Sequence, residues 1–322
     1  MPRLARVTTL AELASLVSDA SPRLEGVAVR TPLQRSARLS EATGAEVWLK
    51  REDLQPVRSY KLRGAYNLIS QLTEAERSAG VICASAGNHG QGVAWSCAAL
   101  GIHGKIYVPS TTPRQKRDRM VTLGQGWVEL VVIGDTYDES SAAAKKIAAT
   151  TGATLVPAFD DPRTAAGQGT VAAEILEQLG KSPDVLLAPV GGGGMLAGCA
   201  AVFHEQSPAT RIVGVEPEGA ACMAAAREAG KPVELKGIET FCDGAAVAKA
   251  GYVTFPLVQE AGVDLVTVPE GEICTEMLAM YQVDGIIAEP AGALPAASLR
   301  SATGQPPVTV QPGQTVVAIV SG

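Results

Sequence analysis

Apolar and polar residues alternate in two rhythms along this chain, and the rhythms trade places almost from end to end. Strand-like apolar runs at 81–85, 105–109, 128–133, 154–159, 185–190, 211–216, 265–269 and 316–321 are separated by stretches with helical spacing. That succession predicts an α/β architecture, with parallel sheets covered by helices. Helix starts carry chemical marks. Thr9-x-x-Glu12 ahead of Leu13, Leu16 and Val17 is a capping box, and Thr73-x-x-Glu76 repeats it. Thr112-Pro113-x-Gln115 opens another helix, while Gly101 and Gly124 are placed to close two. Further helices are expected over 62–72, 92–100, 139–150, 169–179 and 195–203. The block 73–160 reads as a compact βαβαβ-like unit. It is predicted to be a smaller domain inserted into a larger one made of 1–72 and 161–322.

The last run, Val316 to Ser321, has the character of a central buried strand, yet the sequence stops at its carboxyl edge. Open α/β sheets bind ligands at that edge. The expectation is a piece of a longer polypeptide, in which the penultimate Ser321 frays.

Composition removes several classes of function. With 322 residues the chain is long enough for two cores, and 46% hydrophobic with 19% charged residues is ordinary for a globular protein. Lys and Arg number 27 against 33 Asp and Glu, a formal charge of −6 with the signs mixed along the chain. No basic face with aromatic platforms stands out, so no nucleic-acid partner is expected. No apolar run is long enough to span a bilayer, and the amino terminus lacks a signal-peptide pattern. Cys83, Cys97, Cys199, Cys222, Cys242 and Cys274 are dispersed, with no Cys-x-x-Cys, as expected of buried thiols in the cytoplasm.

Three segments carry candidate chemistry. Lys61 lies in Pro56-Val-Arg-Ser-Tyr-Lys-Leu-Arg-Gly-Ala65, where a charged strand-like stretch gives way to a helix. Alone it is a solvated lysine, but Arg58 and Arg63 flank it, and nearby positive charge favours a neutral, nucleophilic amine. Ser85-Ala86-Gly87-Asn88-His89-Gly90-Gln91-Gly92 takes a strand into a helix. The Asn88 amide can meet a ring hydroxyl, and the amides of Ala86 to His89 with the Ser85 hydroxyl can hold a carboxylate. Read in isolation, the same loop is a strand-to-helix turn in which Ser85 and Asn88 only cap. The third segment is Gly191-Gly192-Gly193-Gly194-Met195, after a strand and before a helix, where bare amides and the helix dipole favour a phosphate. It also satisfies a dinucleotide fingerprint, Gly192-x-Gly194-x-x-Ala197, with Glu216 near the position of a ribose-binding acid. The glycine run alone leaves both readings open. An amine, a polar loop and an anion cradle together are the parts that hold an aldehyde cofactor bearing a phosphate. No metal-ligand spacing of His, Cys or carboxylate is present, so no metal is assigned.

Together these segments resemble the type-II-fold pyridoxal-phosphate enzymes, and among them the threonine and serine dehydratases. Lys50-Arg-Glu-Asp-Leu-Gln-Pro56, Ala166-Gly-Gln-Gly-Thr170 and Glu289-Pro-Ala-Gly-Ala293 extend the resemblance over nearly the whole chain. It implies two open, twisted, mostly parallel sheets and pyridoxal 5'-phosphate as cofactor. Lys61 would be the Schiff-base lysine and then the base for the α-proton, Asn88 the contact of the 3-hydroxyl, Gly191 to Met195 the phosphate cradle and Ser321 the ring-nitrogen partner. Ser85, Ala86, Gly87, Asn88 and His89 would bind the amino-acid substrate. The implied reaction is β-elimination from L-threonine, and from L-serine too, releasing an enamine that hydrolyses to a 2-oxo acid and ammonia. A serine-preferring dehydratase and a nicotinamide-binding oxidoreductase are the alternatives. Tyr60 replaces a commoner phenylalanine, and Leu62-Arg63 stands where the synthases have Asp-Arg. Ala86 falls where serine racemases carry a second serine, and Cys222 where they carry a cation-binding aspartate near Glu216 and Ala220. Relatives with a regulatory domain carry it at the carboxyl end, and none is expected within these 322 residues. Self-association as a dimer or tetramer is expected by analogy.

Overall fold

The computed structural model describes residues 7–301 and 304–322, and their strands fall into two sheets. In chain order the strands are β1 (Leu33–Arg35), β2 (Glu46–Arg51), β3 (Val81–Ala84), β4 (Gly104–Val108), β5 (Val128–Val132), β6 (Thr154–Leu155), β7 (Val185–Pro189), β8 (Arg211–Pro217), β9 (Asp264–Val268) and β10 (Thr315–Val320). The larger sheet runs β1-β2-β10-β7-β8-β9, with only β1 antiparallel to its neighbour. The smaller runs β5-β4-β3-β6 and is parallel throughout.

Strands buried on both faces explain the continuous apolar runs. In β10, Val317 and Ile319 join the core under the helices Leu10–Leu24, Pro162–Leu179 and Gly194–Gln206, while Val316, Ala318 and Val320 face the core under Pro290–Ala297. β7 divides the same way, Leu186 and Ala188 to one side, Val185 and Leu187 to the other. The capping boxes at Thr9 and Thr73 form as predicted, and a third, Thr136 with Glu139, starts the helix Tyr137–Thr151 two residues before the expected boundary.

Three expectations need correcting. The helix predicted from 169 begins at Pro162, capped by the Asp161 carboxylate, so Gly167 and Gly169 lie inside it. Their small size is a packing requirement: a Cβ on Gly167 would sit 2.5 Å from the Arg63 carbonyl, and one on Gly169 would sit 2.7 Å from that of Gly198. The strand expected over 154–159 stops at Leu155, because the chain then leaves the sheet for the lysine segment.

Nor is Ser321 frayed. It is buried, its carbonyl accepts from the Tyr60 amide at 3.1 Å, and the Gly322 carbonyl accepts from the Glu289 amide at 3.0 Å. Among the described residues no helix is long and apolar enough to cross a membrane.

Candidate active site

The carboxyl ends of the larger sheet's parallel strands bring the predicted residues to one cleft. Arg51 pairs with Val320 in register, so β2 delivers the lysine segment beside Ser321, and the glycine run leaves β7, the other neighbour of β10. The Ser85–His89 loop arrives from β3 of the smaller sheet.

Lys61 is the first residue of the helix Lys61–Ile69 and is half-buried, with Nζ 3.3 Å from the Ala158 carbonyl. Ala65, Leu68 and Ile69 of that helix enter the smaller sheet's core, while Arg63 turns toward the larger one. Arg63 holds Glu52 through Nε and Nη2, both at 2.8 Å, and Glu174 through Nη1 at 2.7 Å. Of the two flanking arginines, Arg63 is sealed among carboxylates and Arg58 is exposed. Residues two apart on a helix point to different sides.

Phe159, next to Ala158, packs against the glycine run; a Cβ on Gly192 would lie 2.3 Å from its ring. Gly193 has φ +95°, a conformation side chains avoid. The run's carbonyls are engaged on the outside: Gly191 accepts from the Cys222 thiol at 3.4 Å, Gly192 from the Thr254 hydroxyl at 2.5 Å, Gly193 from the Ala197 amide at 2.9 Å. The amides of Gly191 through Met195 have no protein acceptor among the described residues, at the start of the helix Gly194–Gln206. Buried donors left open at a helix start are what an anion requires, so the loop fits a phosphate.

In the polar loop, Ser85 Oγ accepts from the Gly87 amide at 3.3 Å, and Asn88 makes no cap. Asn88 instead donates Nδ2 to both oxygens of Glu289, at 2.7 and 2.9 Å. Glu289 stands in a motif the sequence marks, but 201 residues separate the pair and no local signal joins them. His89 is buried, Nε2 lies 2.7 Å from the Val156 carbonyl, and burial, then Lys61, pulls its pKa down to about 4. It is thus a neutral imidazole, with Nδ1 lacking a protein partner.

Glu216 separates the two readings of the glycine run. Its carboxylate accepts from the Met223 and Ala224 amides at 2.7 and 2.8 Å, so it caps the helix Cys222–Ala229 instead of awaiting a ribose. Burial pushes it up to about 7, against those two hydrogen bonds and Arg227.

An amine, a phosphate cradle and a carboxylate-sized polar loop on this scaffold define a cofactor-dependent enzyme with an aldehyde cofactor. The family model described as "Pyridoxal-phosphate dependent enzyme" matches residues 24–322, and the chain belongs to that family. A biosynthetic L-threonine dehydratase of Mycobacterium tuberculosis is 54% identical over 308 residues, 95% of this chain and 70% of the relative. The processed threonine deaminase isoform 2 of Solanum lycopersicum superposes with a TM-score of 0.89 at 38% identity, covering 97% of this chain and 84% of that one. Maize serine racemase gives 0.90 at 29% identity, over 96% and 92% of the two chains. The cofactor is pyridoxal phosphate and the fold is type II. The dinucleotide reading falls with these matches.

Proposed function

We infer that the chain is a threonine dehydratase of isoleucine biosynthesis, converting L-threonine to 2-oxobutanoate and ammonia, and that it also turns over L-serine. The observation that carries this is the pairing of Lys61 with the open amides of Gly191 to Met195, on either side of Ala158 and Phe159. The identity to named threonine dehydratases supports the substrate.

When bound, pyridoxal phosphate supplies the electron sink that acidifies the substrate's Cα–H. Lys61 would anchor it and would serve as the base at the substrate's α-carbon; the Ala158 carbonyl orients the amine. Gly191, Gly192, Gly193, Gly194 and Met195 would hold the phosphate, Asn88 the ring hydroxyl and Ser321 the ring nitrogen. A serine hydroxyl at Ser321 would not enforce a protonated ring nitrogen. Ser85, Ala86, Gly87, Asn88 and His89 receive the substrate carboxylate at the start of the helix Asn88–Leu100, where the dipole favours an anion. Steady-state rates on L-threonine and L-serine test the reading. Preference for threonine is expected; faster turnover of serine favours the serine-preferring alternative, and inactivity on both refutes the assignment.

The same reading divides the chain into 1–72 with 161–322 and 73–160, supported by the two separate sheets, with Ala65, Leu68, Ile69 and Leu72 of the first part packed into the smaller sheet's core. It also places the protein in the cytoplasm and takes it as a dimer or tetramer, the latter supported by the exposed Leu278, Tyr281, Val283 and Ile287. Sedimentation tests the latter: a monomer at all concentrations rejects it.

A further inference from the structure

Glu289 lies between the two lobes. It is the N-cap of Pro290–Ala297, which packs on the larger sheet, while Asn88 opens the helix after β3 of the smaller one. Their hydrogen bonds therefore cross the cleft, as does the Lys116–Asp243 ion pair. The backbone makes room for the carboxylate: a Cβ on Gly244 or Gly322 would lie 2.9 or 2.6 Å from Oε1.

A side-chain amide can present either end to a ligand, and the two ends are chemically opposite. A carboxylate only accepts, so it forces Nδ2 toward itself and leaves Oδ1 for a hydroxyl. We propose that Glu289 is a positioning residue that fixes the orientation of Asn88 and so presents Asn88 Oδ1 to the cofactor's ring hydroxyl. The proposal rests on the reading that Asn88 meets that hydroxyl. Once protonated, Glu289 offers a donor as well, and the Asn88 amide is free to turn. Burial and Asp243 raise the carboxyl's pKa, against Asn88, Lys116 and Lys61. Cys242 also faces Glu289, and burial holds its thiol protonated. Cofactor affinity should therefore fall in acid at a pH above the ordinary carboxylate range.

The test is the Kd of the apoprotein for pyridoxal 5'-phosphate, by absorption and tryptophan fluorescence, from neutral to acid pH. Wild type, Asn88→Ala, Glu289→Gln and the double variant are compared, with unfolding midpoints alongside. Glu289→Gln should raise Kd about tenfold at neutral pH, the scale of a lost charge-assisted hydrogen bond, and remove the acid limb. Asn88→Ala should do the same, with no further loss on adding Glu289→Gln. An equal loss from Glu289→Gln with and without Asn88, or a wild-type Kd and acid limb in Glu289→Gln, overturns the proposal. If Asn88→Ala itself binds like wild type, the underlying reading of Asn88 fails instead. Should Glu289→Gln not fold, the acid limb of Asn88→Ala decides alone: its persistence refutes the proposal.

Discussion

Two lysines at either end of one segment show how differently this protein treats polar groups. Lys50 is fully buried and every donor of its ammonium is used, by the Thr31 carbonyl at 2.8 Å, Glu174 at 2.5 Å and Gln178 at 3.0 Å. Burial lowers its pKa, and Glu174 and Glu52 oppose that. Lys61 is half-buried, with one carbonyl at 3.3 Å. Around Lys50 the network closes: Glu52 receives Arg63, Gln55 and Thr31, and Arg63 also reaches Thr170. Around Lys61 it stays open, with Ser59 Oγ, His89 Nδ1 and the glycine-loop amides lacking protein partners. Around Lys50 the polar groups hold the structure; around Lys61 they are free to meet a ligand. The lysine helix is the hinge of that contrast, sealed on its Arg63 side and open at its first residue.

The contrast is sharpest where function and stability part company. Lys61→Ala should abolish turnover and the bound-cofactor absorption band, yet shift apoprotein stability in urea by less than about 1 kcal/mol, since a single long hydrogen bond of a half-buried side chain is lost. Arg63→Ala should do the opposite, costing about 3–5 kcal/mol of stability because it leaves the fully buried Glu52 without its guanidinium partner, while Glu174 keeps Lys50. Equal stability losses in the two variants would erase the distinction. Next in size is Gly193→Ala, which forces a side chain into φ +95° and against Met223. It should cost about 1–3 kcal/mol of strain and weaken cofactor binding accordingly, read as an increase in Kd.

Acidity divides the regions too. Glu52 titrates below its usual range: burial raises its pKa, but Arg63 and Lys50 outweigh that. Its contribution is present above its unfolded pKa of 4.5 and is lost as pH falls through its lower folded value. Glu216, raised to about 7, contributes fully below 4.5 and loses that contribution as pH rises toward 7. Urea unfolding across pH should show Glu52→Gln flattening the acid side and Glu216→Gln the neutral side. The smallest effect is expected from Ala86→Ser, where a hydroxyl is added to the open region. Stability should stay within about 0.5 kcal/mol, while slow racemisation of serine, followed by chiral chromatography, should rise above the wild-type background.

Much of the fold and of the site is legible in the amino-acid sequence. Lys61, the glycine run and the buried strands are local patterns, because a helix start, a phosphate cradle and a two-sided strand each impose composition on neighbouring residues. The helix start at Pro162 is written as Asp161-Pro162 but is masked by the glycines inside the helix. The early end of β6 has no such mark: residues 156–159 keep a strand's composition while carrying Ala158 and Phe159 to the cleft. Arg63 reads as a flanking charge, since its partners Glu52 and Glu174 come from 11 residues before and 111 after. Asn88 and Glu289 likewise meet only through the fold.

Borohydride reduction of the reconstituted protein, followed by peptide mapping, probes the division between the two lysines directly. The phosphopyridoxyl group should be found on Lys61 and absent from Lys50. A label on Lys50, or a protein that takes up no label at all, would contradict it.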